Sequence, residues 1–265
     1  MATIISVENH AEVRITPYYQ HAGITIYHGD CREVLPALGP VDSLITDPPY
    51  GVGFTGKAGH YRNRDFKSEE TYSLYDDTPE NFEAVIVPFL KAAIGRATCA
   101  AMFCASRNVF KMPAGGELGG IFLPNGCGRS SWGFQCFMHV VFYGKDPYTA
   151  NRMGSRPNGK HGIWGNDANH VNHPCAKPLA AMTWLVSRAS LPGHTVLDPF
   201  MGSGTTLDAA KRMDRSAIGI EIEERYCEIA AKRLSQEVLF GVDIPQIAKG
   251  EPDADGDLFS TLESA

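Results

Sequence analysis

Apolar runs separated by turn residues predict strands and helices that alternate along the chain. The strands are predicted at Ile24 to Asp30, Val41 to Asp47, Cys99 to Ala105, Met138 to Lys145, Thr195 to Phe200 and Ser216 to Glu221. The helices are predicted at Leu35 to Gly39 (a short turn), Pro79 to Ile94, Lys177 to Ala189, Gly204 to Met213 and Glu224 to Gln236. The almost wholly apolar strand Val41 to Asp47 and the β-α-β-α unit from Thr195 to Gln236 indicate an α/β fold around a largely parallel sheet.

The helix predicted over Pro79 to Ile94 has residues that favour its start and one residue that disfavours its continuation. Thr78 is a suitable N-cap residue and Pro79 suits the first helical position. Pro88 lacks an amide hydrogen and should kink or split this helix.

Three segments show no clear period. Residues 51–78 are predicted to form a long mobile loop, 106–137 alternate glycines with aromatic residues, and 146–173 are irregular. An acidic tail over 246–265 is predicted to be disordered, which leaves 1–245 as a single domain.

Composition narrows the class of protein. A chain of 265 residues with 43% hydrophobic residues suits one α/β domain, and its apolar stretches are shorter than the roughly 18 residues that a membrane helix needs. The first 14 residues lack the pattern of a secretion signal. Seven cysteines without a Cys-x-x-Cys pair indicate free thiols in a reducing cytoplasm and no structural metal.

The net charge of −6 argues at first against a nucleic-acid partner, but its distribution weakens that objection. Five acidic residues lie in the last 16 positions, and without them 24 basic residues face 25 acidic ones. Basic residues cluster at 57–67 and at 145–160, and a local patch can bind phosphates on an acidic protein.

The segment from Asp198 to Thr206 has the features of a ligand-binding turn between a strand and a helix. Gly202 and Gly204 permit positive φ and a close approach of the backbone to a ligand. Leu207 occupies the third glycine position of the dinucleotide fingerprint, which disfavours a pyrophosphate ligand. Glu221 ends the next predicted strand, where an acid can accept hydrogen bonds from two ribose hydroxyls. The predicted cofactor residues here are Asp198, Pro199, Phe200, Gly202, Ser203, Gly204, Thr205, Thr206 and Glu221.

Asp47-Pro48-Pro49-Tyr50 follows a buried strand and has the features of a catalytic turn. The Asp47 carboxylate and the Pro48 carbonyl can each accept one hydrogen of an –NH2 group, which orients the nitrogen lone pair. Tyr50 offers an aromatic face on which a base can stack. The two turns together suggest methyl transfer from S-adenosylmethionine to an exocyclic amine of a nucleic-acid base.

These motifs resemble the DNA amino-methyltransferases that modify adenine N6 or cytosine N4, in the permuted beta group where Asp-Pro-Pro-Tyr precedes the glycine turn. The resemblance covers roughly residues 24–236. It implies a Rossmann-like fold with a seven-stranded mixed sheet and helices on both faces. It also implies that Asp30 and Cys31 approach the cofactor adenine, and that Lys177 is a partner for the cofactor carboxylate.

The segment available for target recognition is short compared with that family. Only about 146–172 lies before the His173-Pro174 segment that precedes the glycine turn, so a reduced recognition surface is expected. The candidate DNA contacts are Lys57, Tyr61, Arg62, Arg64, Arg152, Arg156 and Lys160.

Several readings stay open at this point. Adenine N6 is favoured over cytosine N4 because the family's cytosine enzymes more often carry Ser at the position of Asp47. A non-catalytic nucleic-acid-binding module of the same fold is the alternative outside enzymes. Expected partners are DNA, a second copy of the chain and a cognate restriction enzyme, without a membrane. The expected location is the cytoplasm, for a bacterial or phage-encoded protein.

Overall fold

The computed structural model describes residues 15–53, 76–130, 132–162 and 177–236. Most of the predicted loop over 51–78 and the whole predicted tail over 246–265 lie outside the described residues. The same holds for four of the candidate DNA contacts, namely Lys57, Tyr61, Arg62 and Arg64.

A mixed sheet of nine strands forms the centre of the described part of the chain, in the order β1-β2-β11-β10-β3-β4-β8-β5-β9. Its strands are β1 (Tyr19–His21), β2 (Ile24–His28), β3 (Val41–Thr46), β4 (Ala97–Cys104), β5 (Glu117–Phe122), β8 (Phe137–Gly144), β9 (Gly159–His161), β10 (Thr195–Asp198) and β11 (Ser216–Glu221). A separate two-stranded hairpin consists of β6 (Gly128–Ser130) and β7 (Gly133–Gln135). The predicted α/β class with a mixed sheet is confirmed.

The implied number of seven strands is wrong, because the sheet has nine strands within the described residues. No strand was predicted from the sequence at β1, β5 or β9. The first and last are three-residue edge strands, too short to show alternation. The middle of β5 is Gly119-Gly120, a pair that weakens any strand pattern. A β-carbon at Gly119 would lie 2.1 Å from the carbonyl oxygen of Asn158, so the neighbouring backbone requires glycine there.

Helices cover both faces of the sheet. They are α1 (Cys31–Val34), α2 (Pro79–Asn81), α3 (Val87–Ile94), α4 (Pro147–Ala150), α5 (Leu179–Ala189), α6 (Thr205–Arg212) and α7 (Glu224–Ser235). The buried side chains of α5, α6 and α7 pack on one face, and those of α1 and α3 pack on the other. No helix among the described residues is both long and apolar enough to cross a membrane.

Pro88 is accommodated without breaking its helix. Between α2 and α3, Phe82–Ile86 form a π-helical segment that joins the two directly. Proline cannot donate to the carbonyl four residues earlier and its ring would clash with it, and a wider turn relieves both problems. Thr78 is the N-cap, as predicted, and its hydroxyl oxygen accepts a hydrogen bond from the Asn81 amide at 3.3 Å.

The strands β2, β11, β10, β3 and β4 run parallel, so their C-terminal ends meet at one border of the sheet, which we call the carboxyl edge. In strand β8, which is antiparallel to β4, His139 pairs with Cys104, so β8 begins at this edge. Ligands of open α/β sheets bind outside this edge, where connections leave in different directions.

Candidate active site

Both predicted turns line one cavity at the carboxyl edge, with a volume of about 530 Å³. The predicted site residues that line it are Asp30, Cys31, Asp47, Pro48, Pro49, Tyr50, Lys177, Asp198, Pro199, Phe200, Gly202, Ser203, Thr205, Thr206 and Glu221. Two segments that lie about 150 residues apart in the chain therefore line the same cavity, because β3 and β10 are neighbours in the sheet.

Asp198 is the structural brace of the glycine-containing turn. Its buried carboxylate accepts hydrogen bonds from the hydroxyls of Thr46 (2.6 Å) and Thr206 and from the Phe200 amide (3.0 Å). These bonds link the end of β10 to the end of β3 and the start of α6. Burial raises the pKa of Asp198 to about 6, although the three donors oppose that change.

The two glycines of this turn have different surroundings. Gly202 has a φ of 52° and lines the cavity, and its amide donates to Glu221 at 3.0 Å. Gly204 has a φ of 78° and is not among the lining residues. A β-carbon there would lie 2.9 Å from the β-carbon of Ala230 in α7. Gly204 is thus required for the turn and for helix packing, whereas Gly202 is the glycine that faces a ligand.

Glu221 ends β11 beside this turn, at the position that the sequence assigned to a ribose partner. One carboxylate oxygen accepts the Gly202 amide, and the other accepts the Glu223 amide at 2.8 Å. Burial, with a smaller contribution from the nearby Glu223 and Asp198 carboxylates, raises the pKa of Glu221 to about 7, although the two amide donors oppose that change. Both oxygens retain a lone pair, so the group can still accept hydrogen bonds from a ligand.

Asp30 and Cys31 lie at the start of α1 on the same cavity wall. Asp30 is the N-cap residue and accepts the Arg32 amide at 2.8 Å, and it also pairs with the Arg32 guanidinium. These hydrogen bonds to Arg32 hold the pKa of Asp30 below its usual value. Burial raises the pKa of the Cys31 thiol to about 12, so it is a neutral lining group.

In the catalytic turn, both carboxylate oxygens of Asp47 are engaged by neighbouring side chains. The Tyr50 hydroxyl donates to one oxygen, and the Lys177 ammonium lies 2.6 Å from the other. Lys177 also lies over the Tyr50 ring, with 5.1 Å between its nitrogen and the ring centre. The observed partner of Lys177 is Asp47. That Lys177 also binds the carboxylate of the cofactor stays a prediction.

Two residues that hold the catalytic turn were missed by sequence reasoning. The buried Asn108 donates its side-chain amide to the carbonyl oxygen of Tyr50. Asp77 accepts the amides of Gly51 (2.7 Å) and Val52 (3.2 Å). Both lie in segments whose apolar residues show no regular spacing. Nothing in such a segment marks a single polar residue as a support of the turn. The one available hint was Gly51, which has a φ of 61° and directly follows the motif.

The remaining candidate DNA contacts do not converge on the cavity. Arg152 and Arg156 follow β8, which ends at the opposite, amino edge of the sheet. The Arg156 guanidinium stacks on Tyr148 at 5.0 Å from the ring centre. Lys160 lies in the edge strand β9. Their part in DNA binding stays a prediction.

Comparison with known proteins gives matches along most of the chain. An N6/N4 methyltransferase family model, described as a DNA methylase, matches residues 129–232. Type II methyltransferase M.ScaI of Streptomyces caespitosus is 24% identical over 262 residues, which cover 83% of this chain and 84% of that protein. Type II methyltransferase M2.DpnII of Streptococcus pneumoniae is 25% identical over 253 residues, with coverage of 83% and 93%.

Solved structures agree in fold. The complex of M1.HpyAVI with SAM gives a TM-score of 0.56 at 23% identity, covering 80% of this chain and 100% of that one. PvuII DNA methyltransferase, described as cytosine-N4-specific, gives 0.61 at 17% identity, covering 84% and 90%. The family model, the two relatives and the fold thus make this chain similar to the DNA amino-methyltransferases, and both motifs lie in one cavity.

Proposed function

We propose that this protein transfers a methyl group from S-adenosylmethionine to the exocyclic N6 of adenine in DNA, after the base has left the duplex stack. The observation that carries the proposal is the shared cavity, in which Asp47 and Tyr50 face the glycine-containing turn and Glu221. A cofactor turn alone would fit many transferases. An acidic Asp-Pro-Pro-Tyr turn on the same cavity selects an amine as the acceptor.

The cavity residues fit S-adenosylmethionine. Glu221 can accept hydrogen bonds from ribose hydroxyls, Phe200 offers an aromatic wall, and the first amides of α6 can receive a carboxylate. Asp30 lies at the adenine end that the family resemblance implies. When bound, the cofactor supplies an electrophilic methyl group on a sulfonium.

The chemistry of this chain's own residues is orientation and proton acceptance. Asp47 and the Pro48 carbonyl accept the two amine hydrogens, which turns the nitrogen lone pair out of conjugation with the ring. The nitrogen becomes acidic only as it is alkylated, so Asp47 can then take the released proton without being a strong base. Tyr50 supports the base by stacking, worth about 1–3 kcal/mol.

Each oxygen of Asp47 retains a lone pair beside its present partner, so an entering amine can donate to the carboxylate without displacing Tyr50 or Lys177. The oxygen that accepts the Tyr50 hydroxyl is the one to receive the amine, because the other is held by the oppositely charged Lys177 in a part-buried site. Lys177 is then a positioning residue that keeps the second oxygen of Asp47 fixed while the first receives the amine.

The assignment of adenine over cytosine rests on the Asp at position 47. Both bases present an exocyclic amine next to a ring nitrogen, so the same two acceptors serve either one. As a Type II-like enzyme, the protein would protect its target sequence against a cognate restriction endonuclease in the bacterial cytoplasm.

A methyl-transfer assay followed by nucleoside analysis tests the proposal. The purified chain is incubated with tritiated S-adenosylmethionine and unmethylated plasmid DNA, and the digested nucleosides are identified by mass spectrometry. We expect N6-methyladenine. N4-methylcytosine would overturn the choice of base, and label found only in RNA or protein, or in no acceptor, would overturn the function.

The assay includes two variants. Asp47→Ala should bind the cofactor with unchanged affinity and lower methyl transfer about 10²–10³-fold. Glu117→Ala removes an exposed acid at the start of β5, away from the cavity, and should leave transfer intact.

A further inference from the structure

Two cysteines lie opposite each other at the base of the β6–β7 hairpin. The hairpin pairs Gly128 with Gln135, so the next residues towards its base are Cys127 on one strand and Cys136 on the other. The Cys127 amide donates to the Gln135 carbonyl at 2.6 Å, which holds the two strands together beside these residues. We call Cys127 and Cys136 the thiol pair.

The Cα atoms of the thiol pair are close enough to be joined by a disulfide. The hydrogen bond at the base of the hairpin joins the Cys127 nitrogen to the carbonyl oxygen of Gln135, the residue that precedes Cys136. With standard bond lengths on either side, this bond limits the separation of the two Cα atoms to about 7 Å. Disulfides usually join Cα atoms that are about 4–7 Å apart. The thiol pair can therefore be linked with only a small movement of the backbone.

Both side chains of the thiol pair lie on the same face of the central sheet. The Leu123 amide donates to the Cys136 carbonyl at 2.7 Å, so the pairing of β5 with β8 continues to Cys136, opposite Leu123. Leu123 belongs to the buried cluster under α5, α6 and α7, and Met138, two residues after Cys136, packs against that cluster. Residues that are opposite or two apart on paired strands share a face. Cys127 packs against the same cluster, so the two thiols lie on one side of the sheet.

Both thiols are reduced and partly exposed to solvent. The Cys127 thiol donates to the Gln135 carbonyl at 3.1 Å, and the Cys136 thiol donates to the Phe134 carbonyl at 3.9 Å. Thiols are weak hydrogen-bond donors, so oxidation of the pair sacrifices little.

A positive charge lies near the thiol pair. The Lys177 ammonium is 5.6 Å from the ring centre of Phe103, which belongs to the cluster that Cys127 packs against. Burial, with a smaller contribution from the nearby Cys136 thiol, raises the pKa of the Cys127 thiol, and Lys177 acts against that rise. The ammonium that contacts Asp47 thus also favours the thiolate at Cys127, which is the form that reacts with oxidants.

Position distinguishes this pair from the other cysteines in the part of the chain that the structure describes. Cys99, Cys104 and Cys227 are buried. Cys31 is partly exposed, but it follows β2, and four strands separate β2 from β8 in the sheet. At a spacing of about 4.8 Å between neighbouring strands, this separation is far beyond the reach of a disulfide.

We propose that Cys127 and Cys136 form a reversible disulfide, which fastens the base of the β6–β7 hairpin when the surrounding pool of small thiols becomes oxidised. The oxidant is a small disulfide such as oxidised glutathione. The thiolate of one cysteine attacks a sulfur of this disulfide, which gives a mixed disulfide and releases one small thiolate. The other cysteine loses its proton and attacks the protein sulfur of the mixed disulfide, which releases the second small thiolate. The two released thiolates take up the two protons, so two protein thiols are oxidised and one small disulfide is reduced.

Peptide mapping by mass spectrometry tests the disulfide directly. The purified chain is incubated with oxidised glutathione, the remaining thiols are blocked with N-ethylmaleimide, and the protein is digested with trypsin without reductant. Trypsin cleaves after Arg129, so Cys127 and Cys136 fall on separate peptides, 112–129 and 130–145, and each peptide has one cysteine. We expect most of both peptides in one linked species, lighter than their sum by two hydrogen atoms, which separates again on reduction.

Cys127→Ser and Cys136→Ser are the matched variants. In each of them the remaining cysteine can form only the mixed disulfide, so its peptide should retain a glutathione adduct. Cys31, on peptide 15–32, is the internal control and should be linked to neither peptide. Melting curves by circular dichroism check the fold of the reduced variants. The linked species is measured in the unchanged protein, so the test stands even where a variant does not fold.

The outcome is independent of the proposed function, because no step of the experiment involves methyl transfer. A failed methyl-transfer assay would reject the activity and leave the disulfide in place. Three results would overturn the disulfide: both cysteines still blocked by N-ethylmaleimide after oxidation, both carrying separate glutathione adducts, or either one linked to Cys175 on peptide 161–188.

Discussion

The two turns that form the site are held in different ways. The glycine-containing turn, Asp198 to Thr206, is braced mainly within its own β-α-β unit, by Asp198 on Thr206 and by Glu221 on Gly202. The catalytic turn, Asp47 to Gly53, is held by side chains from three other segments, namely Asp77, Asn108 and Lys177. The acceptor of the first brace, Asp198, is buried between the strands and the helix that it joins, whereas the supports of the second turn come from segments distant in the chain. Substitutions in the glycine-containing turn should therefore lower the stability of the fold. Substitutions around the catalytic turn should lower the rate of methyl transfer.

Removal of the Asp47 carboxylate, which accepts the amine hydrogens, should have the largest effect on methyl transfer. We expect Asp47→Ala to lower kcat for methyl transfer by about 10²–10³-fold, the typical cost of losing one preorganised group. Cofactor affinity by calorimetry should not change, because the glycine-containing turn does not depend on Asp47. Unaltered turnover would contradict the assignment of Asp47 and the contrast between the turns.

Asp198→Ala should damage the fold before the chemistry. It leaves the hydroxyls of Thr46 and Thr206 and the Phe200 amide without an acceptor in a buried site. We expect about 2–4 kcal/mol lower free energy of unfolding by urea denaturation. Asp198→Asn retains an acceptor and should lose less than half as much. Equal stability of Asp198→Ala and the unchanged protein would show that the turn needs no brace.

Substitution of the side chains that support the catalytic turn should lower the rate of methyl transfer more than it lowers stability. Asp77→Ala and Asn108→Ala should each lower kcat about tenfold by loosening the turn around Asp47. Cofactor affinity should be retained, and stability should fall by only about 1 kcal/mol. Asp77→Asn keeps one acceptor oxygen, so its kcat should lie between those of Asp77→Ala and the unchanged protein. Glu117→Ala, at the amino edge of the sheet, is the control. A loss confined to stability would make both residues merely structural.

A pH dependence centred on Glu221 should be the smallest effect. Its pKa is about 7 in the folded state, above its ordinary value of 4.5, so the folded chain holds the proton more tightly. Stability from this group is fully present below pH 4.5 and is lost as pH rises through 7. Glu221→Gln should remove this dependence, so its stability relative to the unchanged protein should rise by about 1–2 kcal/mol between pH 6 and pH 8. Melting curves at both pH values measure it, and parallel curves would contradict the raised pKa.

The sequence predicted the parts of the fold that repeat a clear pattern. Strand β11 has the predicted bounds, and β3, β4, β8 and β10 differ from prediction by one or two residues. Asp30, predicted to end a strand, is instead the N-cap of α1, because its side chain accepts the Arg32 amide. Edge strands and the glycine pair of β5 escaped prediction, since their pairing depends on neighbours and not on their own side chains.

The chain by itself determined the two chemical motifs and the class of fold, because a motif is a local property and the alternation of strands and helices specifies a parallel sheet. Only the tertiary structure decided what surrounds Asp47. Lys177, Asn108 and Asp77 lie 130, 61 and 30 positions away in the chain, and no local preference announces a polar contact over such distances. The pairing of β3 with β10 and of β4 with β8 brings them to one edge, since sheet neighbours are selected by burial of whole faces and not by adjacency in sequence.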